Sequence, residues 1–150
     1  MVRRITTPEE IEHALRKMGA ECPEREWQDP PVRVEPMVDY WKDLGDNDAV
    51  RIYGYFDDKD ELHGYLIGTI QPDPQTGELY GNEFVWIVAP KWRNTRAPLL
   101  LLKAFEIACK EAGCTMVQFG FSMELSPDRM AQMYDRLGYR KSFTIVRKNL

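Results

Sequence analysis

The chain has 150 residues, 43% of them apolar and 29% charged, with a formal net charge of −4. That length is one domain's worth, the balance excludes global disorder, and no apolar run approaches the roughly 20 residues of a membrane span. Cys22, Cys109 and Cys114 form no Cys-x-x-Cys pair, and only His13 and His63 are present, which argues against a disulfide framework and a zinc or iron–sulfur site.

Val2–Thr6 reads as a short strand. Thr7-Pro8-Glu9-Glu10 reads as a helix start, with Thr7 as N-cap, Pro8 at the first helical position and Glu10 completing a capping box. The helix is expected to run to Met18, with Ile11, Ala14, Leu15 and Met18 on one face and Gly19 as its stop. Residues 21–34, rich in Pro and Glu, read as an irregular connection, and Met37–Leu44 as a short helix ended by Gly45. Ala49–Phe56, Leu62–Ile70 and Leu79–Val88 read as three strands of an antiparallel meander, joined by short polar turns. Pro98–Ala112 has helical spacing, with Leu101, Phe105, Cys109 and Ala112 on one face and Gly113 just past its end. Thr115–Phe121 is a further strand. Ser126 and Pro127 open a last helix that carries Met130, Met133, Tyr134 and Leu137 on its apolar face and stops at Gly138. Tyr139–Val146 closes the order as a strand.

The expected fold is therefore an α/β (mixed α+β) sheet within one domain over 1–150. An antiparallel meander leads into a right-handed parallel β-α-β crossover, and a C-terminal α-β unit follows. The start Met1-Val2-Arg3-Arg4-Ile5 has no apolar core behind its cations, so no signal peptide is read and a cytoplasmic protein is expected.

Charge is unevenly spread. Residues 1–75 hold 17 acids and 9 bases, whereas residues 76–150 hold 7 acids and 11 bases. The basic second half suits an anionic ligand or is simply solvated surface. The acidic first half would attract a cationic amine, including a Lys side chain or a polyamine, and repel nucleic acid. Trp27, Tyr40, Trp41, Tyr53 and Tyr55 could line an acceptor pocket or sit in the sheet core.

Two segments carry a resemblance. Val88-Ala89-Pro90-Lys91-Trp92-Arg93 leads from a strand into a helix start, and Ala131-Gln132-Met133-Tyr134-Asp135-Arg136-Leu137-Gly138-Tyr139 closes a later helix. An amphipathic helix and a strand separate them. In this order they resemble the GNAT superfamily of acyl-CoA-dependent N-acyltransferases, over nearly the whole chain and most strongly over 83–148.

The resemblance implies acetyl-CoA as co-substrate, no metal, and a primary amine as acceptor, on a small molecule or on a protein Lys or N-terminus. The coenzyme would lie against Ile87, Val88, Arg93, Asn94, Thr95, Arg96, Ala97 and Pro98. A helix N-terminus offers N–H groups and a positive dipole end to its pyrophosphate, and Arg93 adds a guanidinium fork. Arg96 and Pro98 stand where the family prefers Gly and Gly/Ala. Pro98 donates no N–H, so either side chains have taken over phosphate binding or coenzyme binding has been lost.

Tyr134 resembles the family's general acid, which protonates the leaving thiolate, and a core tyrosine is the structural alternative. Glu83 resembles its general base, placed to within one residue because a bulge is common in that strand. Another carboxylate of the acidic half could serve instead. Two rivals to an N-acetyltransferase stay open. One is a GNAT-like fold acting as a non-catalytic binding or structural subunit. The other is a transferase acting on a nucleic-acid base or aminoacyl-tRNA, which the acidic balance disfavours. A homodimer is left open.

Overall fold

Alternating side chains on the central segments build a five-stranded sheet in the computed structural model, which describes residues 1–27, 31–120 and 127–141. The chain forms two units, Met1–Gly120 and Phe121–Leu150. The first contains β1 (Val2–Arg4), α1 (Pro8–Glu21), α2 (Val34–Trp41), β2 (Val50–Phe56), β3 (Leu62–Pro72), β4 (Leu79–Val88), α3 (Ala97–Glu111) and β5 (Met116–Gln118), and the second contains α4 (Pro127–Arg136). The strands lie in chain order. Pairings from β1 to β4 are antiparallel, and β4 pairs with β5 in parallel. This is the expected meander followed by a parallel β-α-β connection. The expected Ser126 cap lies outside the described residues, as does the expected closing strand beyond Lys141.

Two apolar layers sandwich this sheet. Ile11, Ala14, Leu15 and Met18 of α1 and Val38 and Trp41 of α2 pack on one face, against Ile52, Tyr65, Ile67 and Ile87. Ala97, Leu101, Phe105 and Cys109 of α3 pack on the other, against Leu66, Ile70 and Val88. Each fully buried aliphatic side chain contributes about 1.5–3 kcal/mol of transfer free energy. At the start of α1 the Thr7 hydroxyl oxygen accepts the Glu10 N–H at 3.3 Å, and Arg3 donates to the Glu10 carboxylate at 2.6 Å. That guanidinium holds the Glu10 carboxyl below its ordinary range.

Two helix boundaries differ from expectation. α1 passes through Gly19 to Glu21, where the Cys22 N–H closes it on the Met18 carbonyl at 3.0 Å. Gly19 serves packing: a Cβ there would sit 2.4 Å from Val34 Cγ2 at the start of α2. α2 in turn begins at Val34 and hands over to a 3₁₀ turn, Lys42–Leu44. α3 rests directly on the sheet, because a Cβ on Gly68 would lie 2.4 Å from Phe105 Cζ and one on Gly81 would lie 2.2 Å from Cys109 Sγ. Gly113 and Gly138 occupy left-handed positions, φ +83° and +82°, past the ends of α3 and α4.

Gly45 has ordinary helical dihedrals, yet a Cβ on it would stand 1.9 Å from the Thr6 carbonyl oxygen. The obstacle is backbone, which has no rotamer to yield. Gly45→Ala is therefore expected to lower unfolding free energy by about 2 kcal/mol or more, read from denaturant midpoints. An unchanged midpoint would contradict the close approach.

Candidate active site

The site begins with an irregularity in β4. Ile67 faces Val85 and Gly68 faces Glu83, so Phe84 is an extra residue without a partner on β3. On its other edge β4 pairs with β5 only as far as Asn82 and Gln118. Glu83 stands at the residue where both changes occur. Its Oε2 accepts the Gly120 N–H at 3.1 Å, from the segment that follows β5. Burial pushes the Glu83 carboxyl up to about 7, against the opposing pull of the Gly120 N–H and the Arg25 guanidinium. Such a carboxylate can accept a proton near neutrality and release it again.

Arg25 also lies beside the phenol of Tyr65, which is 1% exposed and whose pKa burial raises. Arg25 comes from the 3₁₀ turn Pro23–Trp27, and its carbonyl accepts the Val32 N–H at 3.2 Å. A cavity of about 590 Å³ opens here between α1 and α2, bordered by Leu15, Cys22, Arg25, Arg33, Met37 and Tyr65 among others. Of the aromatics considered for an acceptor pocket, Tyr40, Trp41, Tyr53 and Tyr55 do not border it. Trp41 packs edge-on against Phe84 at 5.7 Å, and Tyr55 tilts against Trp92 at 5.5 Å. The Trp27 side chain lies outside the described part.

Ile87 and Val88, both buried, end β4 and lead into a 3₁₀ turn, Pro90–Trp92. Arg93 folds back from this turn. Its Nε donates to the Val88 carbonyl at 2.8 Å, and its guanidinium pairs with Glu24. Burial works against its charge, but the Glu24 carboxylate outweighs that and raises the pKa. Arg93 therefore ties the end of β4 to the segment after α1. Thr95 caps the start of α3: its hydroxyl donates to the Trp92 carbonyl at 2.7 Å and accepts the Ala97 N–H at 3.1 Å. Pro98 follows with no N–H. Asn94 and Arg96 are exposed, and Arg96 makes no salt bridge within the described residues. The loop is braced from below by His63, whose ring stacks on Trp92 at 4.4 Å and whose Nε2 lies 3.0 Å from Asp57 Oδ2. The imidazole and two turn N–H groups hold the Asp57 carboxyl down to about 2.

In the second unit, Tyr134 lies on α4. The Tyr139 N–H donates to the Tyr134 carbonyl at 3.0 Å around Gly138, and the two rings meet edge-on at 5.3 Å. The Tyr-x-x-x-Gly-Tyr spacing is thus a helix-ending turn that fixes the Tyr134 backbone. The structure brings Arg25 to Tyr65, with its charge acting on Glu83, and it brings Arg93 to Glu24. Neither Arg25, Tyr65 nor Glu24 stood out in the sequence, because no local periodicity or motif marks them.

The acetyltransferase (GNAT) family matches residues 12–139, and the chain belongs to that family. Solved structures share the fold at low identity. An aminoglycoside acetyltransferase from an uncultured soil metagenomic sample has a TM-score of 0.75 and 14% identity, over 100% of this chain and 97% of that one. A ribosomal-protein-alanine N-acetyltransferase from Brucella melitensis biovar Abortus 2308 has a TM-score of 0.73 and 13% identity, over 100% and 99%. A transcriptional regulator from Bacillus halodurans C-125 has a TM-score of 0.78 and 16% identity, over 100% and 99%. No curated protein matches the chain in sequence. Among the described residues no helix is long and apolar enough to cross a membrane.

Proposed function

We propose that the protein is an N-acetyltransferase that moves the acetyl group of acetyl-CoA to a primary amine. The observation that carries this is Glu83: a carboxylate with a pKa of about 7, at the residue where β4 bulges and parts from β5, in a chain of the GNAT family. A neutral amine is the nucleophile, and an ammonium must lose a proton to become one. In the proposed step Glu83 takes that proton, the N–C bond forms, the C–S bond of the thioester breaks, and the new amide nitrogen releases its second proton to solvent. Tyr134 gives its proton to the departing thiolate, and both residues return to their starting states through solvent. The role of Tyr134 rests on its motif. No metal enters this scheme.

Coenzyme binding is assigned to the end of β4 at Ile87 and Val88 and to the loop Arg93, Asn94, Thr95, Arg96, Ala97 and Pro98. Thr95 already occupies the Ala97 N–H and Pro98 has none, so side chains must supply donors that glycines would otherwise expose. Arg96 suits that task, whereas Arg93 is held by Glu24. The two arginines should separate experimentally. Arg96→Ala is expected to weaken acetyl-CoA binding about 10- to 100-fold with no change in melting temperature, as expected for the loss of a charge-assisted contact. Arg93→Ala should lower both affinity and melting temperature. Calorimetry on each variant reads the difference, and an unaltered affinity in Arg96→Ala would remove it from the site. The overall proposal is tested by thiol release from acetyl-CoA with a panel of amines, with mass spectrometry of the product. A protein that binds no acetyl-CoA would instead fit a non-catalytic role, which no observation here favours.

A further inference from the structure

We infer that the acceptor is a small amine that also carries a carboxylate, an amino-acid-like molecule, and that Arg25 and Arg33 receive that carboxylate. This rests on the N-acetyltransferase reading above and narrows its substrate class. The acidic first half suggests a polycationic acceptor, but the cavity has the opposite character. Its volume of about 590 Å³ suits a small molecule. Two guanidinium side chains border it, Arg25 and Arg33, and one carboxylate, Glu35. Glu35 is already occupied: Arg16 donates to its Oε1 at 2.7 Å and to its Oε2 at 3.1 Å, a two-pronged pair on the outer side. Within the described residues neither Arg25 nor Arg33 forms a salt bridge. Arg25 is half-buried and Arg33 is exposed, and the Val32 N–H bonded to the Arg25 carbonyl at 3.2 Å holds the two segments that carry them together.

The rest of the wall is apolar or aromatic, with Leu15, Met37 and the Tyr65 ring. Two cations facing an apolar cavity favour a ligand anion, and a guanidinium's planar fork matches a carboxylate in particular. The cavity reaches the sheet at Tyr65, which pairs with Ile87 on β4, the strand that carries Glu83, and the Arg25 charge acts on that carboxylate as well. A zwitterionic acceptor satisfies both ends: its carboxylate meets the arginines, and its ammonium turns toward the base that must deprotonate it. A polyamine would bring like charge against Arg25 and Arg33.

The test pairs free amino acids with the amines they give on decarboxylation. The parent protein should acetylate the amino acids with kcat/KM about 10- to 100-fold higher than their decarboxylated partners. Arg33→Gln and Arg25→Gln should abolish that preference by raising KM for the amino acid, while KM for acetyl-CoA stays put. Equal or better turnover of the decarboxylated amines by the parent would overturn the inference, as would efficient turnover confined to peptide N-termini. Calorimetry with the same pairs in the absence of acetyl-CoA reads the cavity independently of chemistry. Binding of amino acids without turnover would leave the carboxylate site at Arg25 and Arg33 standing and sink the acetyltransferase reading. Binding of neither member of any pair would overturn the inference itself.

Discussion

Tyr134→Phe is expected to lower kcat by about 10²- to 10⁴-fold and to leave acetyl-CoA affinity within about twofold of the parent. The substitution keeps the ring, and the ring is what meets Tyr139 edge-on at 5.3 Å. The main-chain turn around Gly138 does not involve the side chain at all. What is removed is the phenolic hydroxyl, and with it the proton. An unperturbed phenol near pKa 10 is still protonated at neutral pH and can hand its proton to a thiolate as that charge develops. A second measurement separates this role from a packing role: thioesters with more acidic leaving thiols need less protonation, so the variant's deficit should shrink with them. A variant that keeps most of its turnover with acetyl-CoA would return Tyr134 to the helix's apolar face and nothing more.

Glu83→Gln should depress kcat/KM by about 10²-fold or more below pH 7, and the loss should narrow as pH rises. Gln preserves an acceptor for the Gly120 N–H, so the link across the parting strands survives. What disappears is the proton site. In the parent, the acid limb of the pH profile should bend near pH 7, where Glu83 titrates. In the variant that bend should be absent, leaving the steady rise set by free neutral amine. Identical profiles would move the base elsewhere.

The same shift has a stability consequence with the opposite sense. An unfolded Glu titrates near 4.3, whereas native Glu83 titrates at about 7. Between those values the native state holds the extra proton, so this group's contribution to stability falls as pH rises through the window and stays low above it. Glu83→Gln is free of that loss. Its melting temperature should match the parent's at pH 4 and exceed it at pH 8. A site that works as a base is thus one the fold tolerates at a cost.

Much of the framework was legible from local pattern. The apolar face Ile11, Ala14, Leu15 and Met18 is buried as its spacing predicts, and β4 has its expected limits, Leu79–Val88. Glu83 was reachable by resemblance, and the bulge beside it at Phe84 is of the kind expected in that strand. Other features depend on contacts distant in sequence, to which periodicity is blind. Gly19 looks like a helix stop, yet its bare Cα is needed by Val34, on another helix. Arg93 looks like a phosphate ligand, yet Glu24, 69 residues earlier, holds it. Arg25 lies in a Pro- and Glu-rich stretch with no repeat to give it a direction, and only the folded chain brings it beside Tyr65, with its charge acting on Glu83.

The tight seat of α3 on the sheet also sorts the three thiols by reactivity. Cys109 lies so close to the Gly81 backbone that its sulfur has no room for an added group, and burial pushes its pKa up to about 12. Cys22 is 1% exposed, under the Arg93 guanidinium. Cys114, after the end of α3, is the partly exposed one. A maleimide reagent should therefore attach there first. The native chain thus carries its own preferred labelling position for a fluorophore or spin probe, outside the cavity and the coenzyme loop, with no cysteine to be engineered in.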